Sequence, residues 1–196
     1  MPESERPGFD ANLRLYAQME PDGASLAHLL SLQDALPAGT RRVPRRQLHA
    51  TLIHFGKVMD VYRVISAETG ISRSAYDQLL GGYIARTEAL LPPSAFRLDP
   101  LGTAGFGARG STLVVEYQPS LELTALHGEL YEVLVDFLAA CGVSDSAAFM
   151  ASDPNFMFAA ALRPHITLAR GYLGAVPPLR LEPVTLTPMP VVYPGH

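Results

Sequence analysis

From Asn12 to Glu20 the chain alternates Leu13, Leu15, Ala17 and Met19 with Arg14, Tyr16, Gln18 and Glu20. That period of two marks a half-buried strand, because successive side chains leave a strand on opposite faces. Between Ser25 and Leu36 the apolar residues Leu26, Leu29, Leu30 and Leu36 change to helical spacing, with Asp22-Gly23 before and Pro37-Ala38-Gly39 after. An arginine-rich approach, Arg41 to Arg46, leads into Leu48 to Phe55, a β-branched and aromatic run that predicts a second strand stopped by Gly56. Ala75, Leu79, Leu80, Ile84 and Leu90 predict a helix over 74–91, ended by Pro92-Pro93 and weakened by Gly81-Gly82.

Phe96 to Leu101 and Thr112 to Tyr117 read as a hairpin whose connection, Gly102 to Gly110, is glycine-rich enough to form a mobile tip. Ser120 caps an amphipathic helix carrying Leu123, Leu126, Leu130, Val133, Leu134, Phe137 and Leu138 on one stripe and closed by Gly142. Val143 to Arg163, with Asp153-Pro154-Asn155 and Phe156-Met157-Phe158, reads as a loop, and Pro164 to Ala169 as another strand. Leu179 to Val192 supplies strand material, but Pro183, Pro188 and Pro190 suit an edge or a bulge better than a central position. Strand and helix alternate too irregularly for a doubly wound parallel sheet, so the expected class is α+β.

Composition narrows the functions. Apolar residues make up 48% and charged residues 17% of the 196 residues, which supports a packed core. The longest apolar stretch falls short of the roughly 20 residues a membrane span needs. The start, Met1 to Asp10, has no basic head followed by an apolar run, so a cytoplasmic address is expected. Cys141 is the only cysteine, which excludes an internal disulfide. A net charge of -4 provides no overall positive field, so long duplexes are not expected partners, and any nucleic acid must be short or gripped locally.

The chemistry lies in a repeat. His49-Ala50-Thr51-Leu52 and His165-Ile166-Thr167-Leu168 are the same tetrapeptide type, 116 residues apart. In a strand, positions i and i+2 share a face, so each motif sets an imidazole and a hydroxyl on one side and two apolar residues on the other. Either motif alone is most simply a structural histidine beside a strand threonine; both together point to catalysis. Two such strands brought side by side suit an in-line displacement at phosphorus, one histidine taking a proton from the nucleophile while the other protonates the leaving oxygen. Histidine serves both roles because its ordinary pKa near ~6.5 lets neutral and charged copies coexist. The design calls for no metal and no cofactor.

These residues resemble the 2H phosphoesterases, which are named for two such His-x-Thr/Ser-x motifs, and most closely their bacterial 2'-5' RNA ligase-like branch. The run-in Val43-Pro44 to His49, the exit Phe55-Gly56-Lys57-Val58, and above all Arg163 to Arg170 are similar to that branch. The resemblance spans most of the chain. It implies a bilobal α+β fold over residues 1–196 with pseudo-twofold symmetry, two antiparallel sheets flanking a central cleft and helices outside. It also implies a reaction that opens a 2',3'-cyclic phosphate to a 2'-phosphate, with His49, Thr51, His165 and Thr167 catalytic and Arg170 binding phosphate. Expected substrates are short RNA ends or small nucleotides, and a monomer is expected. The alternatives are an inactive module that binds a terminal phosphate, or a phosphodiesterase for a non-RNA cyclic or 2'-5'-linked nucleotide. The motif pair is nearly symmetric; His49 is assigned as acid and His165 as base. The motif spacing looks long because 143–163 resembles an insertion that could serve as a lid.

Lesser candidates surround the motifs. Arg46, in the run that also holds Arg41, Arg42 and Arg45, could steer a phosphate toward His49, and Arg109 at the glycine tip could close over a ligand. Tyr16, Phe106 and Tyr172, with Phe156, could stack a base, although packing is the commoner use of such aromatics. His54 lies five residues from His49 and so on the opposite face of a regular strand. His28 and His127 on predicted helices, and His196 at the end, read as bystanders.

Overall fold

The computed structural model describes residues 9, 12–153, 156 and 159–194, without the side chains of 108 and 190–194. Most of the amino-terminal stretch, Pro154-Asn155, Met157-Phe158 and His196 therefore lie outside the described residues. The class is α+β, built on two antiparallel sheets with helices packed on them.

The first sheet has the order β2 (Ala50–Lys57), β1 (Leu13–Pro21), β7 (Val184–Pro194), β3 (Phe96–Leu98). The second has the order β4 (Pro100–Phe106), β5 (Thr112–Tyr117), β6 (His165–Arg170). The motif strands β2 and β6 are thus edges of different sheets. What joins them is the arginine-rich approach: Val43 N–H donates to the Leu168 carbonyl (3.0 Å) and Arg170 N–H to the Arg41 carbonyl (3.0 Å) before the chain turns through Arg45–Gln47 into β2. Gln33, buried on α1 (Gly23–Asp34), donates from Nε2 to the Val43 carbonyl (2.9 Å) and the Leu168 carbonyl (2.8 Å), clamping the same crossing.

The core forms as the patterning predicts. Leu15, Ala17 and Met19 are buried. The α4 helix (Leu121–Ala140) is capped by the Ser120 side chain, which accepts from Leu123 N–H, and it buries the predicted stripe. The second helix, predicted over 74–91, is α3 (Arg73–Leu90), which packs on α4.

Several elements depart from expectation. Gly56 does not stop β2; with φ of 89° it sits at a bulge, a backbone angle that favours glycine. The helix α2 (Val58–Thr69) was not predicted, although Val58, Val61 and Ile65 follow helical spacing and Gly70 ends it in the left-handed conformation. The run 96–101 is two strands: β3 pairs with β7 in the first sheet, and at Asp99–Pro100 the chain crosses into the second. Most of the glycine-rich stretch is β4, paired with β5, rather than a tip; a Cβ on Gly105 would stand 2.6 Å from the Gly110 carbonyl oxygen, so the close approach there requires glycine. β7 lies inside its sheet, not at an edge. Its partner β3 reaches only Val184 to Leu186, however, so Pro188 and Pro190 pair with β1 alone and their missing N–H groups break no second ladder. Finally, 143–163 contains α5 (Ser146–Ser152), and Phe149, Met150, Phe156 and Ala159 are buried in the core, Phe156 edge-on to Phe55. The described part of that segment therefore contributes to the core instead of being a loop throughout.

Candidate active site

His165 opens β6, as expected, whereas His49 stands one residue ahead of β2, at the exit of the Arg45–Gln47 turn. Each ring is tied by Nδ1 to a main-chain carbonyl a few residues upstream: His49 to Arg46 at 3.4 Å, His165 to Arg163 at 2.8 Å. A carbonyl only accepts, so Nδ1 carries the proton in both rings. In the neutral form Nε2 then holds the lone pair. Both histidines are half-buried, as are Thr51 and Thr167.

Register decides what else faces the motifs, because antiparallel partners share a face. Thr51 pairs with Gln18, Leu52 is bulged out, and His54 pairs with Tyr16. In the other sheet Thr167 pairs with Val114, Leu168 is skipped, and Arg170 pairs with Thr112. The two bulges fall at the same place in the two motifs, after the Thr. Each reverses the strand's parity. Arg170 is thereby brought to the face of His165 and Thr167, and His54 to the face of Thr51, against the expectation that it would point away. A second bulge at Phe55 repeats the reversal, so Lys57, paired with Arg14, joins the same face.

The two motifs share one electrostatic environment. Burial lowers the His49 pKa, and the Arg170 cation and His165 add to that, while the Arg46 carbonyl and the Glu20 carboxylate oppose it. Glu20 extends the β1 row of Arg14, Tyr16 and Gln18; in the second sheet Glu116 is the ladder partner of His165. A neutral His49 is favoured in the free protein, which suits a proton acceptor better than the acid assigned from sequence.

The other candidates are placed as follows. Arg46 meets the site through its carbonyl, its side chain being exposed. Phe106 lies against His165, ring centroids 4.6 Å apart, with the Arg163 guanidinium 4.3 Å over it. Tyr16 lies against His54 at 4.9 Å and accepts from Arg14 Nη1 at 2.9 Å. Arg109 is exposed in the β4–β5 turn with φ of 59°. Tyr172 donates its hydroxyl to the Ala175 carbonyl (2.6 Å), holding the loop after β6. Of the histidines read as bystanders, His28 accepts from Glu182 N–H (3.2 Å) and His127 is buried on α4. Sequence reasoning placed His54 on the wrong face and did not single out Lys57, Glu20 or Glu116; the polar residues Thr51, His54 and Lys57, at every third position of an otherwise apolar strand, were the available signal.

Among the described residues no group of three or more His, Cys, Asp and Glu side chains could hold a metal ion, and no helix is long and apolar enough to cross a membrane.

No family model and no curated protein matches the sequence. Solved structures do. TT0787 of Thermus thermophilus is 22% identical, with a TM-score of 0.53 over 91% of this chain and 84% of its own. LigT of E. coli in its apo form is 20% identical, with a TM-score of 0.53 over 93% of this chain and 96% of its own. A crystal structure of LigT complexed with 3'-AMP matches at 19% identity and a TM-score of 0.50, over 95% of this chain and 99% of its own. The chain therefore has the fold that TT0787 and LigT share, along nearly its whole length.

Proposed function

We propose that this protein is a phosphodiesterase of the 2H type that opens 2',3'-cyclic phosphate ends of short RNA or nucleotides to 2'-phosphates. The observation that carries this reading is the pair of His-x-Thr-Leu motifs on the edges of two sheets, each imidazole tied by Nδ1 to a carbonyl and both within one electrostatic environment. The shared fold with LigT, whose crystal structure holds 3'-AMP, supports a nucleotide as ligand.

The chemistry needs only these side chains. His49, kept neutral by burial, takes a proton from water as the water oxygen attacks phosphorus. The P–O3' bond breaks, and His165 gives the departing O3' its proton, leaving a 3'-hydroxyl and a 2'-phosphate. The Thr51 and Thr167 hydroxyls donate to the non-bridging oxygens, and Arg170 holds the phosphate charge. With a ribose 5'-hydroxyl in place of water as the nucleophile, the same ring opening at P–O3' would form a 2'-5' linkage and release the 3'-hydroxyl.

The test is turnover of a 2',3'-cyclic mononucleotide with the product identified as the 2'-phosphate. His49→Ala and His165→Ala should each lower kcat by about 10²–10⁴-fold, with chelator without effect on the wild type. Nucleotide binding without product in the wild type would instead mark a binding module, and full activity in both variants would overturn the reading.

A further inference from the structure

The two edge strands match in position and in bulge as far as His54 and Arg170, and the match gives His54 a place on the motif face. Reading along each edge strand, His49-x-Thr51-Leu52-x-His54 and His165-x-Thr167-Leu168-x-Arg170 carry their bulge at the same leucine. His54 is therefore to the first sheet what Arg170 is to the second: the next polar side chain along the motif face. It lies against Tyr16, whose hydroxyl accepts from Arg14, and beyond it Lys57 pairs with Arg14 on the same face. All four residues are half-buried. In a chain of net charge -4, this row sets two cations beside two rings in line with His49 and Thr51.

Strand geometry makes the arrangement informative. Each bulge sacrifices regular pairing in β2, and together the two keep Thr51, His54 and Lys57 on one face while Ile53 and Phe55 stay buried. A strand rises about 3.3 Å per residue, so His54 lies at most about 10 Å beyond Thr51, and Lys57 at most about 10 Å further. Those are distances a ligand longer than one nucleotide would span.

We propose that Tyr16, His54, Arg14 and Lys57 form a second nucleotide subsite, which takes the penultimate nucleotide, the one 5' to the nucleotide that carries the reacting phosphate, its base on the Tyr16–His54 rings and its phosphate on Lys57 and Arg14. The proposal rests on the phosphodiesterase reading and adds a substrate class to it: the end of an RNA oligomer in preference to a mononucleotide. Aromatic stacking tolerates any base, so the preference is for length and not for sequence.

Equilibrium binding tests it without turnover, using a 2'-phosphorylated mononucleotide and a trinucleotide with the same 3'-terminal nucleotide as probes. The trinucleotide should bind about tenfold tighter or better, the scale of one base–aromatic stack with a phosphate contact. In His54→Ala that ratio should fall toward one, and in His54→Phe, which retains a ring, it should recover. Lys57→Gln should flatten the slope of log Kd against log salt for the trinucleotide by about 0.7, one phosphate contact on a single strand. Equal affinity for the two probes in the wild type, or a ratio unchanged in both His54→Ala and Lys57→Gln, would overturn the subsite. Should a variant not fold, the other two still decide. Failure of the catalytic reading is separate: it appears as a wild type that turns over no cyclic phosphate, whatever the binding ratio.

Discussion

Phe106 packs on His165 with ring centroids 4.6 Å apart and planes inclined by 52°, and the same Phe106 ring lies beneath the Arg163 guanidinium at 4.3 Å. Arg163 in turn pairs with Glu116, the ladder partner of His165. The β4–β5 hairpin thus holds the imidazole from the side while the Arg163 carbonyl holds Nδ1.

Removing that ring should cost catalysis more than binding. Phe106→Ala is expected to lower kcat about tenfold with little change in KM, because small displacements of a reacting group are costly. Phe106→Leu should restore part of the loss. Steady-state kinetics on a cyclic mononucleotide check this; a change confined to KM would show that Phe106 stacks substrate instead.

Arg170 should set the acid side of the pH–rate profile. Its cation is among the influences that hold the His49 pKa down, after burial. With His49 as proton acceptor, activity is lost as pH falls through the His49 pKa, which lies below the ordinary ~6.5. Arg170→Gln should move that limb to higher pH as well as raising KM. A limb that stays in place in the variant would argue against His49 as the base.

Stability should also depend on pH, through His49 and His127. Both have pKa values lowered chiefly by burial, and His127 also donates to the Ala159 carbonyl while its Nε2 is buried without a partner. The folded state resists protonation where the unfolded chain, titrating near ~6.5, accepts it. The stability is therefore fully present above about pH 6.5 and is lost as pH falls through the depressed native values. Urea midpoints should drop between about pH 7.5 and pH 5, and His127→Asn, whose amide replaces the Nδ1 donor, should drop less.

Gln33 should prove structural and expensive to lose. Its amide serves two buried carbonyls at the crossing that brings β6 beside the run-in to His49. Gln33→Leu leaves the Val43 carbonyl without that donor, and a cost of about 1–3 kcal/mol is expected by urea denaturation. An effect below a few tenths would mean water replaces the amide.

Gly105→Ala is expected to disturb the hairpin that carries Phe106, since the new Cβ would meet the Gly110 carbonyl oxygen at 2.6 Å, backbone that cannot swing away. A lower melting temperature and a reduced kcat should appear together. Gly81→Ala, where a Cβ meets nothing within 4 Å, should raise the melting temperature instead.

Much of this protein is local and hence legible in its sequence. The alternation of 12–20, the capped stripe of α4 and the repeated His-x-Thr-Leu each follow from side-chain period and chemistry alone. The irregular order of strands and helices was enough to name the α+β class.

What the sequence left open is non-local. Whether His54 faces the motif or the core depends on which β1 residue it pairs with, and a single bulged leucine reverses the answer. Likewise β7 could place its prolines inside a sheet because its neighbour β3 is three residues long, and the run 96–101 divided between two sheets at Asp99–Pro100. Period and composition determine which residues are polar, apolar or reactive; the faces they share are set by register between strands far apart in the chain, which only the folded structure decides.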